Sequence, residues 1–332
     1  MGETIREFLR EQYRTLPMLA TVETCRGRAY IVTGSNIGIG LATAQNLVRL
    51  EASRVILAVR NVEAGEAARR QIDAATNTAG VAEVWHLDLA SYDSVKAFAQ
   101  RAAENLERLD GLIENATTAL DRWTAAEGME TTITVNVFST LLLAVLLLPL
   151  MMQTARRHEN VPHLVVVTSN LGFARRAQLE EIEDDVWSGL SDETTSDMDS
   201  RYGLSKLIQI FAVRQFATLA APARTGVVVN LISPGLCKSG LVRYAKLSTR
   251  LTIGAMTAVV GRTAEMGSRS VLHAAVAGEQ SHGKLLSDCK IKDYYIPTWV
   301  TDAKGTAMQK QLWDNVAKRL ETIEPGCVSR IL

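Results

Sequence analysis

The stretch AYIVTGSNIGIGLATAQNLVRL, residues 29–50, passes from an apolar, β-branched run through a glycine cluster into a helical pattern. Ala29–Thr33 has the make-up of a buried strand, and the residues after Gly40 place their apolar side chains at helical spacing. Between them lies TGSNIGIG, Thr33–Gly40. Glycines at 34, 38 and 40 let the chain turn tightly, bring backbone N–H groups up to a pyrophosphate, and allow close packing of helix on strand. The spacing GxxxGxG differs from the GxGxxG fingerprint. It also lacks the lysine that would follow Gly40 in a phosphate-transferring loop. Gly34, Ser35, Gly38, Ile39 and Gly40 are the candidate cofactor contacts of this turn.

Outward from the turn, Arg54–Val59, Val81–Leu87, Gly111–Glu114, His163–Ser169 and Val227–Ile232 read as further buried strands separated by stretches of helical length. That alternation predicts an α/β fold, a Rossmann-type doubly wound parallel sheet. Residues 1–28 form an N-terminal extension and 29–332 a single domain. No second run of alternating strands and helices follows Ile232, so residues 240–332 are expected to form a helical C-terminal extension on the substrate side. An acidic insertion, 174–200, breaks the rhythm; it is expected at the substrate mouth, with Trp187 and Met198 as apolar contacts. The second strand ends in Arg60-Asn61, where a guanidinium suits a 2′-phosphate and favours NADP(H) over NAD(H). Asp88, in LDLA after the third strand, is placed to accept from the adenine amino group.

Lysine plus arginine equals aspartate plus glutamate at 36 each, so overall charge does not call for nucleic acid as a partner. Cys25, Cys237, Cys289 and Cys327 are far apart and without metal-ligand spacing, consistent with free thiols in a reducing, cytoplasmic setting. The apolar run LLLAVLLLPLMM, Leu141–Met152, is shorter than the roughly 20 residues of a membrane-spanning helix. It is expected to be buried, or to face a second subunit in a homodimer. Near the N-terminus, Ile5, Phe8, Leu9 and Tyr13 share one helical face. Such a stripe docks on the domain or lies at a lipid interface.

RYGLSK, residues 201–206, sets Tyr202 and Lys206 one helical turn apart. A tyrosine with an ordinary pKa of about 10 is a poor base at neutral pH, and a nearby ammonium favours its phenolate. Taken in order, TGSNIGIG, HLDLAS, ENA at 114–116, ITVNV, VVVTSN, YGLSK and SPGLCKS resemble the motifs of the short-chain dehydrogenase/reductase family. Their combination matters because one tyrosine–lysine pair at this spacing arises by chance roughly 0.2 times in such a chain. The wording of several segments is similar to filamentous-fungal members near the retinol-dehydrogenase-like branch.

The resemblance implies hydride transfer between NADP(H) and a ketone, aldehyde or alcohol of a lipophilic small molecule. It implies Tyr202 as acid and base, Ser169 holding the substrate oxygen, and Lys206 on the nicotinamide ribose. Asn136 would hold a water that links Lys206 to solvent, Asn115 would lie beside the cofactor, and Ser239 would hold the carboxamide. Thr117 departs from the family's NAG pattern and raises the alternative of a catalytically silent NADP-binding sensor or scaffold. An extended-branch nucleotide-sugar enzyme would carry TGxxGxxG, which Thr33–Gly40 does not match.

Overall fold

Apolar runs become strands here because both faces of the sheet are covered. The computed structural model describes residues 4–181 and 186–331. β1 (Ala29–Thr33), β2 (Arg54–Val59), β3 (Ala82–His86), β4 (Gly111–Glu114), β5 (His163–Val167) and β6 (Val228–Ile232) lie parallel in the order β3-β2-β1-β4-β5-β6. Alternate residues point to opposite faces: Ile31, Leu112 and Val166 enter one core, while Val32, Ile113 and Val165 enter the other. The winding reverses between β1 and β4, so the carboxyl ends of these two strands border the crevice where such sheets hold ligands.

Two further strands extend the sheet beyond β6. β7 (Leu285–Ser287) pairs parallel with β6, and β8 (Lys290–Ile291) turns back antiparallel at the edge. The sequence reading expected only helices there. Strands of three and two residues are too short to show any periodicity.

Among the helices, α1 (Ile5–Gln12) precedes the sheet. α2 (Gly38–Arg49) and α3 (Val62–Thr76) cover one face, whereas α4 (Tyr92–Asn105), α5 (Thr140–His158) and α6 (Met198–Leu219) cover the other. After β6 come α7 (Leu247–Val260), α8 (Ala264–Val276) on the α2 face, and α9 (Ala303–Ile323), which buries Leu312, Trp313, Val316 and Leu320.

The apolar run Leu141–Met152 belongs to a continuous helical segment, Thr131–His158, which by length and composition could cross a membrane. Its burial gives another reading. Leu141, Leu142, Leu143, Leu147 and Leu148 have no exposure within this single chain and form its core, so they offer no free surface to a second subunit.

The N-terminal helix docks chiefly by Glu11 and Gln12, which are buried, and of the expected apolar stripe Phe8 alone is half-buried against the cavity while Ile5, Leu9 and Tyr13 are exposed. The surface beneath presents polar groups. Gln12 Nε2 donates to Leu236 O at 2.8 Å and Val260 O at 3.0 Å, and Gln12 Oε1 accepts from Leu236 N at 3.2 Å.

The insertion is also more ordered than its composition suggests. Short helices cover Arg176–Glu180 and Val186–Ser191, and Trp187 packs edge-on against Phe138 with centroids 4.6 Å apart. Neither Trp187 nor Met198 lines the main cavity. Residues 182–185 of the insertion lie outside the described residues.

Truncating a fully buried α5 side chain removes core contacts and leaves a cavity. Leu147→Ala is expected to cost about 2–5 kcal/mol in denaturant unfolding. A cost below about 0.5 kcal/mol, the range of exposed positions, would mean that this helix is not core.

Candidate active site

Thr33–Gly40 turns back on itself with Gly34 at φ 64° and Gly38 at φ 60°, the left-handed region that favours glycine. Gly40 serves a different need. A Cβ there would lie 2.5 Å from Asn115 Nδ2 and 2.7 Å from Gly34 O, so only glycine lets α2 rest on the end of β4. Asn115 Nδ2 donates to Thr33 O at 2.9 Å, and Ala116 N donates to Thr33 Oγ1 at 2.8 Å, which braces the turn from below. No side chain caps the first turn of α2, so its N–H groups face the crevice as an anion site. Gly34, Gly38 and Ile39 line that crevice. Ser35 does not: it is buried and its hydroxyl donates to Val32 O at 2.8 Å.

The crevice opens into a cavity of about 1810 Å³. A site for one drug-sized ligand occupies roughly 300–1,000 Å³, so this one has room for a dinucleotide beside a substrate. Arg60 and Asp88 line one end. Asp88 Oδ1 also accepts from Ala90 N at 2.9 Å, closing its own turn. Asn115, Ser169, Tyr202, Lys206 and Ser239 line it as well, and Leu120, Leu171, Phe173, Leu241, Ile253 and Met256 add apolar side chains to its wall.

α6 carries Tyr202 and Lys206 on consecutive turns. Opposite them, the turn Asn170–Arg175 starts at Ser169 and lies directly on the helix backbone. This is possible because Gly172 has no side chain: a Cβ there would come within 2.8 Å of Leu207 N. Burial pushes the Tyr202 phenol up to about 12, opposed only by its interaction with the Ser169 hydroxyl. Loss of hydration pushes Lys206 itself down to about 7, with Glu114 opposing.

Lys206 is held from inside. Its Nζ donates to Val167 O at 2.8 Å and to Gln209 Oε1 at 3.1 Å. Gln209 Nε2 in turn donates to Asn136 O at 2.7 Å. The side chain of Asn136 is fully engaged: Oδ1 accepts from Thr117 Oγ1 and Thr118 N, both at 2.9 Å, while Nδ2 donates to Thr118 O at 2.9 Å and Ser205 Oγ at 3.0 Å. The Gln209 amide thus connects the backbone carbonyl of Asn136 to the Lys206 amine. Asn136 lies in a π-helical turn, Thr134–Ser139, a local widening common at functional sites. Thr117, the departure from the family pattern, turns its hydroxyl to Asn136.

Glu114 lies at the end of β4, fully buried, and neither carboxylate oxygen has a hydrogen-bond partner among the described residues. Burial holds its carboxyl well above the usual range, and the Lys206 charge pulls it back only partly. The sequence reading missed Glu114, Gln209 and Gly172. An acid closing an apolar strand, and a glutamine three residues after Lys206, are the visible signals of the first two.

Residues 28–180 match the short chain dehydrogenase family model. The chain is similar to short chain dehydrogenase/reductase dmxR8 of Cryptosporiopsis sp., 38% identical with 91% of this chain and 93% of that protein covered. The chain belongs to the short-chain dehydrogenase family. It is also similar to short chain dehydrogenase atnD of Emericella nidulans, 39% identical over 86% of this chain and 90% of that protein. These relatives support the filamentous-fungal part of the resemblance and not the retinol-dehydrogenase-like branch. The RhlG/NADP complex of Pseudomonas aeruginosa superposes with a TM-score of 0.60 at 25% identity, covering 83% of this chain and 99% of that chain.

Two predictions follow from the interior of this dehydrogenase. The folded state keeps the Glu114 proton above 4.5, where the unfolded chain gives it up, so this group lowers stability as pH rises through that window. Glu114→Gln should melt above the parent by a margin that grows from pH 4.5 upward in thermal scans; a margin constant with pH would show that Glu114 does not titrate abnormally. Gln209→Leu should cost about 1–3 kcal/mol in chemical denaturation, because it strips a buried carbonyl and a buried amine of a partner. A neutral result would remove Gln209 from the Lys206 support.

Proposed function

We propose that this short-chain dehydrogenase is NADP(H)-dependent and interconverts a ketone or aldehyde with an alcohol on a lipophilic secondary-metabolite intermediate. The observation that carries the reading is the convergence of Ser169, Tyr202 and Lys206 on one cavity wall between a glycine cradle and an apolar chamber. The cradle fits a dinucleotide. Gly34 and Gly38 hold the crevice open, the uncapped α2 N-terminus faces it, and Arg60 offers a guanidinium where a 2′-phosphate would lie. When bound, the nicotinamide cofactor supplies or accepts the hydride.

The chain's own residues do the rest. Ser169 donates a hydrogen bond to the substrate oxygen and sets it beside the Tyr202 hydroxyl. With its phenol pushed up to about 12, Tyr202 holds its proton at neutral pH and can give it to an alkoxide, the stronger base. In the opposite direction a phenolate is needed, and a positive charge nearby favours it. Lys206 is the group positioned to provide that charge and to bind ribose hydroxyls. Gln209 and Val167 fix where its amine can lie, and Asn136 acts through Gln209. Ser239 closes the cradle over Gly38, to which a Cβ would approach it at 3.6 Å. The internal partner of Thr117 weakens the alternative of a silent sensor, because the side chain that raised it is turned toward Asn136.

The test is a fluorescence titration with NADPH and with NADH. NADPH is expected to bind more tightly, with Arg60→Ala weakening NADPH about tenfold and leaving NADH unchanged, the loss of a charge-assisted contact. Tyr202→Phe should retain NADPH binding and lose turnover in a screen of apolar ketones and aldehydes. If neither nucleotide binds, the oxidoreductase reading fails and the silent reading fails with it. NADPH binding with full turnover in Tyr202→Phe would retain the cofactor and reject the mechanism.

A further inference from the structure

Two helices flank the mouth of the cavity, and both turn apolar side chains outward. On α1, Ile5, Leu9 and Tyr13 recur every fourth residue, with Ile5 80% and Tyr13 66% exposed. On α7, Leu247, Leu251, Ala255 and Val259 repeat that spacing, and none of the helix's residues is buried. The stripes meet: Tyr13 Oη donates to Val259 O at 3.3 Å, and Gln12 on the inner side of α1 donates to Val260 O. Ile5 and Phe8 of α1, with Ile253 and Met256 of α7, line the cavity, so the outward face is continuous with its rim. Exposed apolar side chains gathered on two adjoining helices, rather than scattered singly, point to an interaction site.

Charge says what kind of partner it meets. α1 turns its acids inward: Glu7 accepts from Tyr295 Oη at 2.9 Å, and Glu11 is buried. Its arginines, Arg6, Arg10 and Arg14, occupy the positions next to Ile5, Leu9 and Tyr13 and are exposed, although Arg10 and Arg14 also reach back to the buried Glu11 at 3.1 and 3.6 Å. From Ser233 to Ala264 the chain contains no aspartate or glutamate, whereas Lys238, Arg243, Lys246 and Arg250 are exposed there. One of these, Lys246, also pairs with Asp199 at 3.1 Å. The result is a pair of apolar stripes in a basic collar, the pattern that draws a helix into the boundary between anionic headgroups and acyl chains. A second copy of the chain fits less well, since a two-fold interface through this face would set like charges against one another.

We propose that α1 and α7 form a docking surface for an anionic lipid bilayer, which places the cavity mouth against the membrane. This goes beyond the reaction above and does not depend on it. The full chain is mixed with vesicles of phosphatidylcholine, with and without phosphatidylserine, and the bound fraction is measured by flotation.

Recovery with the phosphatidylserine vesicles, falling as salt rises, is expected. Leu251→Asp with Val259→Asp, two positions that do not line the cavity, should lower partitioning about tenfold or more. NADPH titration should be unchanged in that variant, which shows that the fold is intact. Arg10→Glu with Arg250→Glu should lower partitioning to a similar degree. Equal recovery on phosphatidylcholine alone, or none on either vesicle, overturns the proposal. So does a dimer in sedimentation that the aspartate pair dissociates, which would assign the face to a second copy.

Discussion

A lysine amine with almost no access to water must be solvated by the protein, and much of this site is arranged around that need. Lys206 is 1% exposed. It has two acceptors, the Val167 carbonyl at the end of β5 and the Gln209 side chain one turn along α6. Burial drives the amine toward its neutral form and the Glu114 carboxyl toward its own neutral form. Each charge, where present, favours the other. A fully charged pair in this interior would carry a large desolvation penalty, and a fully neutral one would leave no cation beside Tyr202.

The same interior connects the cofactor side to the catalytic side through the end of β4. Residues 114–118 take part in each contact that matters. Glu114 faces the field of Lys206, Asn115 and Ala116 hydrogen-bond the glycine turn, and Thr117 and Thr118 engage Asn136. Asn136 then reaches Lys206 through Gln209. Through its own side chain Asn136 joins the β4 loop to α6, bonding Thr117 and Thr118 on one side and Ser205 on the other.

The parts legible in the sequence are those whose constraint is local. Six strands show as apolar runs because covering both faces leaves no polar alternation, and TGSNIGIG shows because a tight turn and a close helix packing both require glycine. Tyr202 and Lys206 show through helical spacing together with the ordered motifs around them. What stays hidden depends on neighbours brought in by the fold. The apolar stripe of α1 pointed to docking by that face, yet the surface below it offers Leu236 and Val260 backbone groups, and Gln12 answers them. Trp187 was expected at the substrate mouth and instead meets Phe138, which lies 49 positions earlier in the chain. Ser35 reads as a cofactor contact until its hydroxyl is found closing the turn. β7 is invisible because three residues carry no period.

Two apolar helices make the limit of composition clear. α5 is buried along most of its length: the core takes in all its leucines but the half-buried Leu146, so its length says nothing about lipid. α7 is no less apolar in sequence and yet has no buried residue, with Ser248, Thr249 and Arg250 between its two leucines. Burial, which the sequence does not record, separates them. The charge pattern around each helix is recorded there, and it points the same way. α5 meets charge only at its carboxyl end, in Arg156 and Arg157, where it leaves the core. α7 has Lys246 before its first residue and Arg250 within its first turn, and it runs on without an acid, as a helix at the edge of an anionic surface would.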